Sequence, residues 1–179
     1  MNIVIASDRR GQAVKDQITM LLRARGCRIQ DVSPDMPGTN EYPELSYRAA
    51  KIVSEGRAEC AILISGTGLG MSIVANKIVG IRAAVCCDSL TAQISRSHLD
   101  TNVLCLAVDL VGIEAVHDIV RSWLTTAFED GGRHARRVNK IRWIEQGRDP
   151  ELAPETPQAP ADDAERERRA LLAQALLMS

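Results

Sequence analysis

No apolar run in the chain approaches the roughly 20 residues that span a bilayer, so a membrane helix is not expected. The opening "MNIVIASD" has no basic segment ahead of an apolar one, so no secretory leader is expected and the reading is a cytoplasmic protein. A formal net charge of -1 with 25% charged residues gives no global electrostatic case for nucleic acid or an anionic membrane. Cysteine is scarce and odd in number, and Cys27, Cys60, Cys86, Cys87 and Cys105 lie in or beside apolar stretches without metal-ligand spacing. Reduced, mostly buried thiols follow, with neither a disulfide framework nor a metal site expected. The glycine-rich stretch "SGTGLG" lacks the lysine of a phosphate-binding P-loop, departs from G-x-G-x-x-G spacing and follows a third strand instead of a first. No nucleotide or other cofactor is therefore expected.

What is present has a regular grammar. With 179 residues, 45% of them hydrophobic, one sizeable domain and a short appendage are expected. The runs "NIVIAS", "CRIQDV", "CAILIS", "IRAAVC" and "VLCLAV" read as strands, each followed by a helical pattern or its loop. Val14, Ile18, Leu21 and Leu22 fall at helical spacing, as do Ile113, Val116, Ile119, Val120, Trp123 and Leu124. The middle strands are apolar throughout, which predicts parallel strands covered on both faces. The fold class is α/β: a three-layer, doubly wound, five-stranded parallel sheet. The loop "SPDMPGTNEYP" reads as irregular backbone before a helix beginning near Pro43. Gly131 and Gly132 read as the end of one helix, with a basic helix after them.

The domain is expected over 1–146, a proline-rich linker over 147–161, and a short helix over 162–179. In that last segment Asp162 can serve as N-cap, and Leu171, Leu172, Ala175 and Leu176 make a narrow apolar stripe.

In an open parallel sheet the ligand site lies beyond the carboxyl ends of the strands, which places Asp8, Ser65 and Cys87–Asp88 on one rim. The turn from Gly66 to Gly70 also lies there and opens a helix, so its free N–H groups suit an anion or an enolate oxygen.

Several stretches together carry a specific likeness: "SDRRG" at 7–11, "ISGTGLGMSIVANK" at 64–77, "GIRAAVC" at 80–86, "SRSHLDTNVL" at 95–104 and "GGRHARRV" at 131–138. They resemble the ribose-5-phosphate isomerase B family, which includes the galactose-6-phosphate isomerase subunits. The resemblance implies a Rossmann-like fold and metal-free interconversion of a phosphorylated aldose and ketose. It also implies a homodimer or homotetramer with sites between subunits. It makes His98 the acid/base that opens the sugar ring, assisted by Asp8, and Arg133 and Arg137 the phosphate clamp. Ser65 and Thr67 join His98 and Asp8 as the implied catalytic set, and Gly66, Thr67, Gly68, Leu69 and Gly70 would cradle the enediolate oxygens.

The chain departs from the family pattern at several of these places. Most members place a cysteine where Ser65 stands, and a second branch pairs a serine with a glutamate where this chain has Met71. A serine hydroxyl needs an adjacent base before it can act. Arg9 replaces a histidine and could strengthen anion binding. Leu99 replaces an asparagine, and Asp109 replaces an arginine, which sets a like charge against the phosphate. Three readings follow. One is an active isomerase whose base is Cys86, Cys87 or a water. Another is a catalytically weak paralogue that binds a sugar phosphate as sensor or partner subunit. The third concerns the tail, which resembles the encapsulation peptides of enzymes packed into bacterial microcompartments and so implies a shell partner; an oligomerisation helix and an unstructured end are the alternatives.

Overall fold

The structure is a computed structural model and describes residues 1–33, 41–154 and 171. The strands are β1 (Asn2–Ser7), β2 (Arg28–Asp31), β3 (Cys60–Ser65), β4 (Ala83–Cys86) and β5 (Val103–Ala107). The helices are α1 (Gln12–Arg23), α2 (Tyr42–Ser54), α3 (Leu69–Ala75), α4 (Ser89–Leu99), α5 (Ile113–Thr125) and α6 (Gly132–Glu145). Every strand pair is parallel, in the order β2-β1-β3-β5-β4. The chain moves outward from β1 to β2 and then returns to the other side of β1 as β3. That reversal opens a crevice beyond the ends of β1 and β3.

β1, β3 and β5 are apolar without alternation because helices cover both faces of the sheet. Successive side chains point to opposite sides: Ile3, Ile5, Ile62, Ile64, Leu104 and Leu106 meet α1 and α5, while Val4, Ala6, Ala61, Leu63, Val103 and Cys105 meet α2 and α3. The expected three-layer fold is thus present.

In α1, Ile18 and Leu22 are buried as expected, whereas Val14 and Leu21 are only half-buried. Lys15 is buried in their place because its Nζ reaches Asp31 Oδ2 at 2.6 Å, so the ammonium is paired and not stranded. In α5, Val116, Ile119, Val120, Trp123 and Leu124 are buried, and Ile113 is exposed in the first turn.

The sheet edges differ. β2 carries exposed Arg28, Gln30 and Asp31. β4 carries no charged residue, and its first residue is occupied by a side chain: Asn76 Nδ2 donates to the Ala83 carbonyl at 2.9 Å, and Ala83 N–H donates to Asn76 Oδ1 at 2.8 Å.

Gly131 and Gly132 do not end a helix. α5 stops at Thr125, where Thr126 turns extended, and the glycines instead begin α6, with Gly132 at φ 54°. A short 3-10 turn, Pro150–Leu152, packs on α6, and Asn139 Nδ2 donates to the Pro154 carbonyl at 3.4 Å. The chain therefore stays on the core through the start of the expected linker. Of the expected tail helix, Leu171 is helical and exposed, while Asp162, Leu172, Ala175 and Leu176 lie outside the described residues. Among the described residues no helix is long and apolar enough to cross a membrane.

Candidate active site

Ser65 ends β3 as a buried residue whose Oγ accepts the Gly68 N–H at 3.0 Å. This bond bends the chain from strand to helix and fixes the turn. It also corrects one expectation, since the Gly68 donor is spent inside the turn. The N–H groups of Gly66, Thr67, Leu69 and Gly70 have no acceptor among the described residues and remain available to an oxyanion. α3 is only 7 residues long, so aimed N–H groups and not a long helix dipole supply the attraction. Met71 is fully buried in the core beneath the turn and packs there.

Gly68 has φ 70°, and a Cβ at this position would lie 3.2 Å from Val85 Cγ1 and 3.3 Å from the Leu106 carbonyl oxygen. Gly70 lies under the Tyr42 ring, with its would-be Cβ 2.6 Å from Cε2. Tyr42 is thus a wall of the mouth that sequence reasoning missed. The available signal was an aromatic residue directly before Pro43, in the first turn of α2.

Asp8 follows β1 and caps its own turn: Oδ1 accepts the N–H groups of Arg10 at 2.9 Å and Gly11 at 3.0 Å. Arg9 is exposed beside it. Asp109, beyond β5, is held in a two-point fork by Arg10, with Nη2 to Oδ2 at 2.8 Å and Nε to Oδ1 at 3.2 Å. Its N–H donates to the Gly66 carbonyl at 2.9 Å. The like charge expected to oppose a phosphate is therefore balanced by Arg10, a partner 99 positions away in the chain.

The remaining expected residues lie elsewhere. α4 starts at the rim where β4 ends, runs back against the strand direction, and returns through Asn102, whose N–H donates to the Arg82 carbonyl just before β4. Its eleven residues, at about 1.5 Å each, put His98 roughly 15 Å toward the opposite rim. There His98 stacks on His134 of α6, ring centroids 4.0 Å apart and planes 17° from parallel. Leu99 is exposed beside it, and Arg133 and Arg137 are exposed on α6. One chain thus brings Asp8, Arg9, Ser65, Thr67 and the glycine turn together at one pole. It brings His98, Leu99, Arg133 and Arg137 together at the other.

His134 is buried, and burial first, then His98 and Arg133, hold its pKa below the ordinary value, with Glu129 opposing. Its Nε2 accepts from Arg133 Nε at 3.2 Å, as a neutral imidazole can, so the 3.7 Å approach of Glu129 Oε2 is not an ion pair. Ligand atoms of His98, Glu129 and His134 come within 4.8 Å of one another. Stacked rings direct their lone pairs along parallel planes, which prevents both from converging on one ion at bonding distance.

A depressed histidine pKa makes the unfolded chain take up protons first as pH falls below about 6.5. Stability is then fully present above that pH and declines below it. Melting temperatures of wild type and His134→Gln should diverge between pH 7.5 and 5, the wild type falling more steeply; parallel curves would show that His134 does not carry this dependence.

Within one chain, neither cysteine near the fourth strand lies beside Ser65. Cys86 is buried, and desolvation pushes its thiol up to about 11. Cys87 is exposed but follows β4, two strands and so roughly 10 Å from β3. A cavity of about 240 Å³ lined by Asn2, Arg28, Arg57 and neighbours opens at the opposite rim and contains none of the residues above.

The Ribose/Galactose Isomerase family model matches residues 3–141, from β1 into α6. Ribose-5-phosphate isomerase B of Escherichia coli (strain K12) is 42% identical over 146 residues, 82% of this chain and 97% of the relative. D-erythrulose-4-phosphate isomerase of Pectobacterium atrosepticum is 38% identical over 146 residues, 81% of this chain and 95% of the relative. The structure of ribose-5-phosphate isomerase B from Clostridium thermocellum superposes with a TM-score of 0.78 at 44% identity, covering 82% of this chain and 99% of that one. The enzyme from Mycoplasma genitalium, solved with bound ribulose-5-phosphate, gives a TM-score of 0.77 at 36% identity, covering 81% and 96%. The match runs from β1 through the glycine turn into α6, and the chain belongs to the Ribose/Galactose Isomerase family.

Proposed function

We propose that the chain is a cytoplasmic sugar-phosphate aldose–ketose isomerase that works through an enediolate, with ribose 5-phosphate or a related short phosphorylated sugar as substrate. The observation that carries this reading is the set of open N–H groups at Gly66, Thr67, Leu69 and Gly70, aimed past the end of β3 where an enediolate oxygen gains charge. His98 serves ring opening, Asp8 and Thr67 contact the ring and chain oxygens, and Arg133 and Arg137 hold the phosphate.

Because the two sets sit at opposite poles of one chain, a working site needs a second copy that turns His98, Arg133 and Arg137 toward the first copy's glycine turn. Exposed apolar side chains at Leu69 and Ile73 on α3 and at Leu90 and Ile94 on α4 favour such an association. The second reading, a weak paralogue that binds without efficient turnover, is favoured by Ser65. Among the described residues its hydroxyl has one side-chain bond, from Gly68 N–H, and no base beside it.

An isomerisation assay with ribose 5-phosphate, paired with calorimetric binding, tests the choice. The isomerase reading expects measurable wild-type turnover and about a tenfold rise in kcat for Ser65→Cys, whose thiol can ionise near neutrality. Binding without turnover in the wild type would leave only the paralogue reading. We further assign the tail a targeting role toward a microcompartment shell, supported by its amphipathic pattern. The same assay on a chain ending at Pro154 should return the wild-type rate, and a loss of rate would oppose that role.

A further inference from the structure

The Arg10–Asp109 pair has no part in the reaction just described. β1 and β5 flank β3, so the pair joins the turn after one neighbour to the turn after the other, directly across Gly66. The approach is close: a Cβ at Gly66 would lie 2.5 Å from Asp109 Oδ2 and 3.1 Å from Arg10 Nε. Exposed ion pairs add little to folding, and the Arg10 side chain is 66% exposed, so stability alone gives no reason for this bridge.

The geometry suggests another purpose. A guanidinium has five N–H donors, and the fork to Asp109 engages Nε and Nη2, fixing the plane of the group while leaving the Nη1 edge unengaged. The backbone beneath is fixed as well, through Asp8 Oδ1. Around this point the free groups are donors: the rest of Arg10, Arg9, and the N–H groups of Gly66 and Thr67. Of the nearest carboxylates, Asp109 is engaged by Arg10, and Asp8 Oδ1 is engaged by its own turn. The complementary ligand group is acceptor-only and rich in oxygen, as a phosphate is.

We propose that Arg10 is a substrate-binding and specificity-determining residue of this site, donating to an oxyanion of the phosphorylated sugar, and that Asp109 is the positioning residue that aims it. The inference rests on the isomerase reading above. Because Asp109 cancels the charge of Arg10, the contribution is directional hydrogen bonding more than net attraction.

The test measures KM and kcat for ribose 5-phosphate, inhibition by inorganic phosphate, and calorimetric binding of ribose 5-phosphate. Arg10→Met and Arg10→Lys should each raise KM and the phosphate inhibition constant about tenfold, with a smaller fall in kcat. Lysine keeps the charge but loses the fork. Asp109→Asn should shift both constants the same way by about threefold, and Asp109→Glu should restore them. A melting temperature near wild type for each variant separates these effects from misfolding. Wild-type turnover together with Arg10 variants whose KM and phosphate inhibition stay within twofold would overturn the role of Arg10 and leave the isomerase reading intact. A wild type that neither turns over nor binds ribose 5-phosphate overturns both. Binding without turnover transfers the judgement to the calorimetric constant, where a tenfold loss supports Arg10 and an unchanged constant rejects it.

Discussion

Gly68→Ala is expected to lower kcat at least about a hundredfold, because the turn that aims the open N–H groups cannot keep its shape with a side chain there. The backbone at φ 70° costs an L-residue about 1–2 kcal/mol, and the new Cβ meets Val85 Cγ1 at 3.2 Å and the Leu106 carbonyl oxygen at 3.3 Å. Relief requires the turn to lift, which breaks the Ser65 cap and turns the neighbouring donors away. One misplaced oxyanion donor alone is worth about 10²–10³ in rate. Gly80→Ala is the matched control: it has φ 82° with nothing within 4 Å of its would-be Cβ, so it carries the same backbone strain away from the site. It should lower the melting temperature by a few degrees and spare kcat. Comparable rates for both variants would show that the turn does not align the reacting oxygens.

Mixing two inactive chains should restore activity. His98→Gln removes the imidazole at one pole and Gly68→Ala damages the turn at the other, and each alone should be depressed by about a hundredfold or more. In a two-fold assembly whose sites each borrow from both copies, half of randomly paired molecules are mixed, and each of those has one intact site. About a quarter of wild-type activity should return. Co-expression with two affinity tags measures it: the unfractionated mixture should show about a quarter, and the doubly tagged fraction, which holds only mixed molecules, about half. A mixed preparation no more active than its parents would mean that each chain completes its own site, contrary to the separation of His98 from Ser65 along α4.

What could be read from the sequence was local or periodic. β1, β3 and β5 announce themselves because double burial removes polar residues from the middle of their runs, and the turn after Ser65 is contiguous. Lys15 could not be placed, since only the fold brings Asp31 of β2 to its ammonium. The same holds for Arg10 and Asp109, which lie far apart in the chain and adjacent in space. Gly131 and Gly132 misled because glycine more often marks the residue after a helix than the residue before one, whereas α5 ends earlier, at Thr125. His98 is singled out by its flanking motif alone, and its distance from Ser65 is a property of helix direction that no motif expresses. Tyr42 escaped because its contact with Gly70 joins α2 to α3.

The amide of Asn76 has a consequence for how copies of this protein can meet. Backbone groups of a strand face alternate sides, so only Ala83 and Val85 of β4 turn theirs outward, and Ala83 is already satisfied by Asn76. A foreign strand arriving there would find half of its template occupied, and the ribbon stops growing at its fifth member. Merging of ladders across this edge is thereby disfavoured, which keeps a crowded solution of this protein from zipping into fibrils along that border.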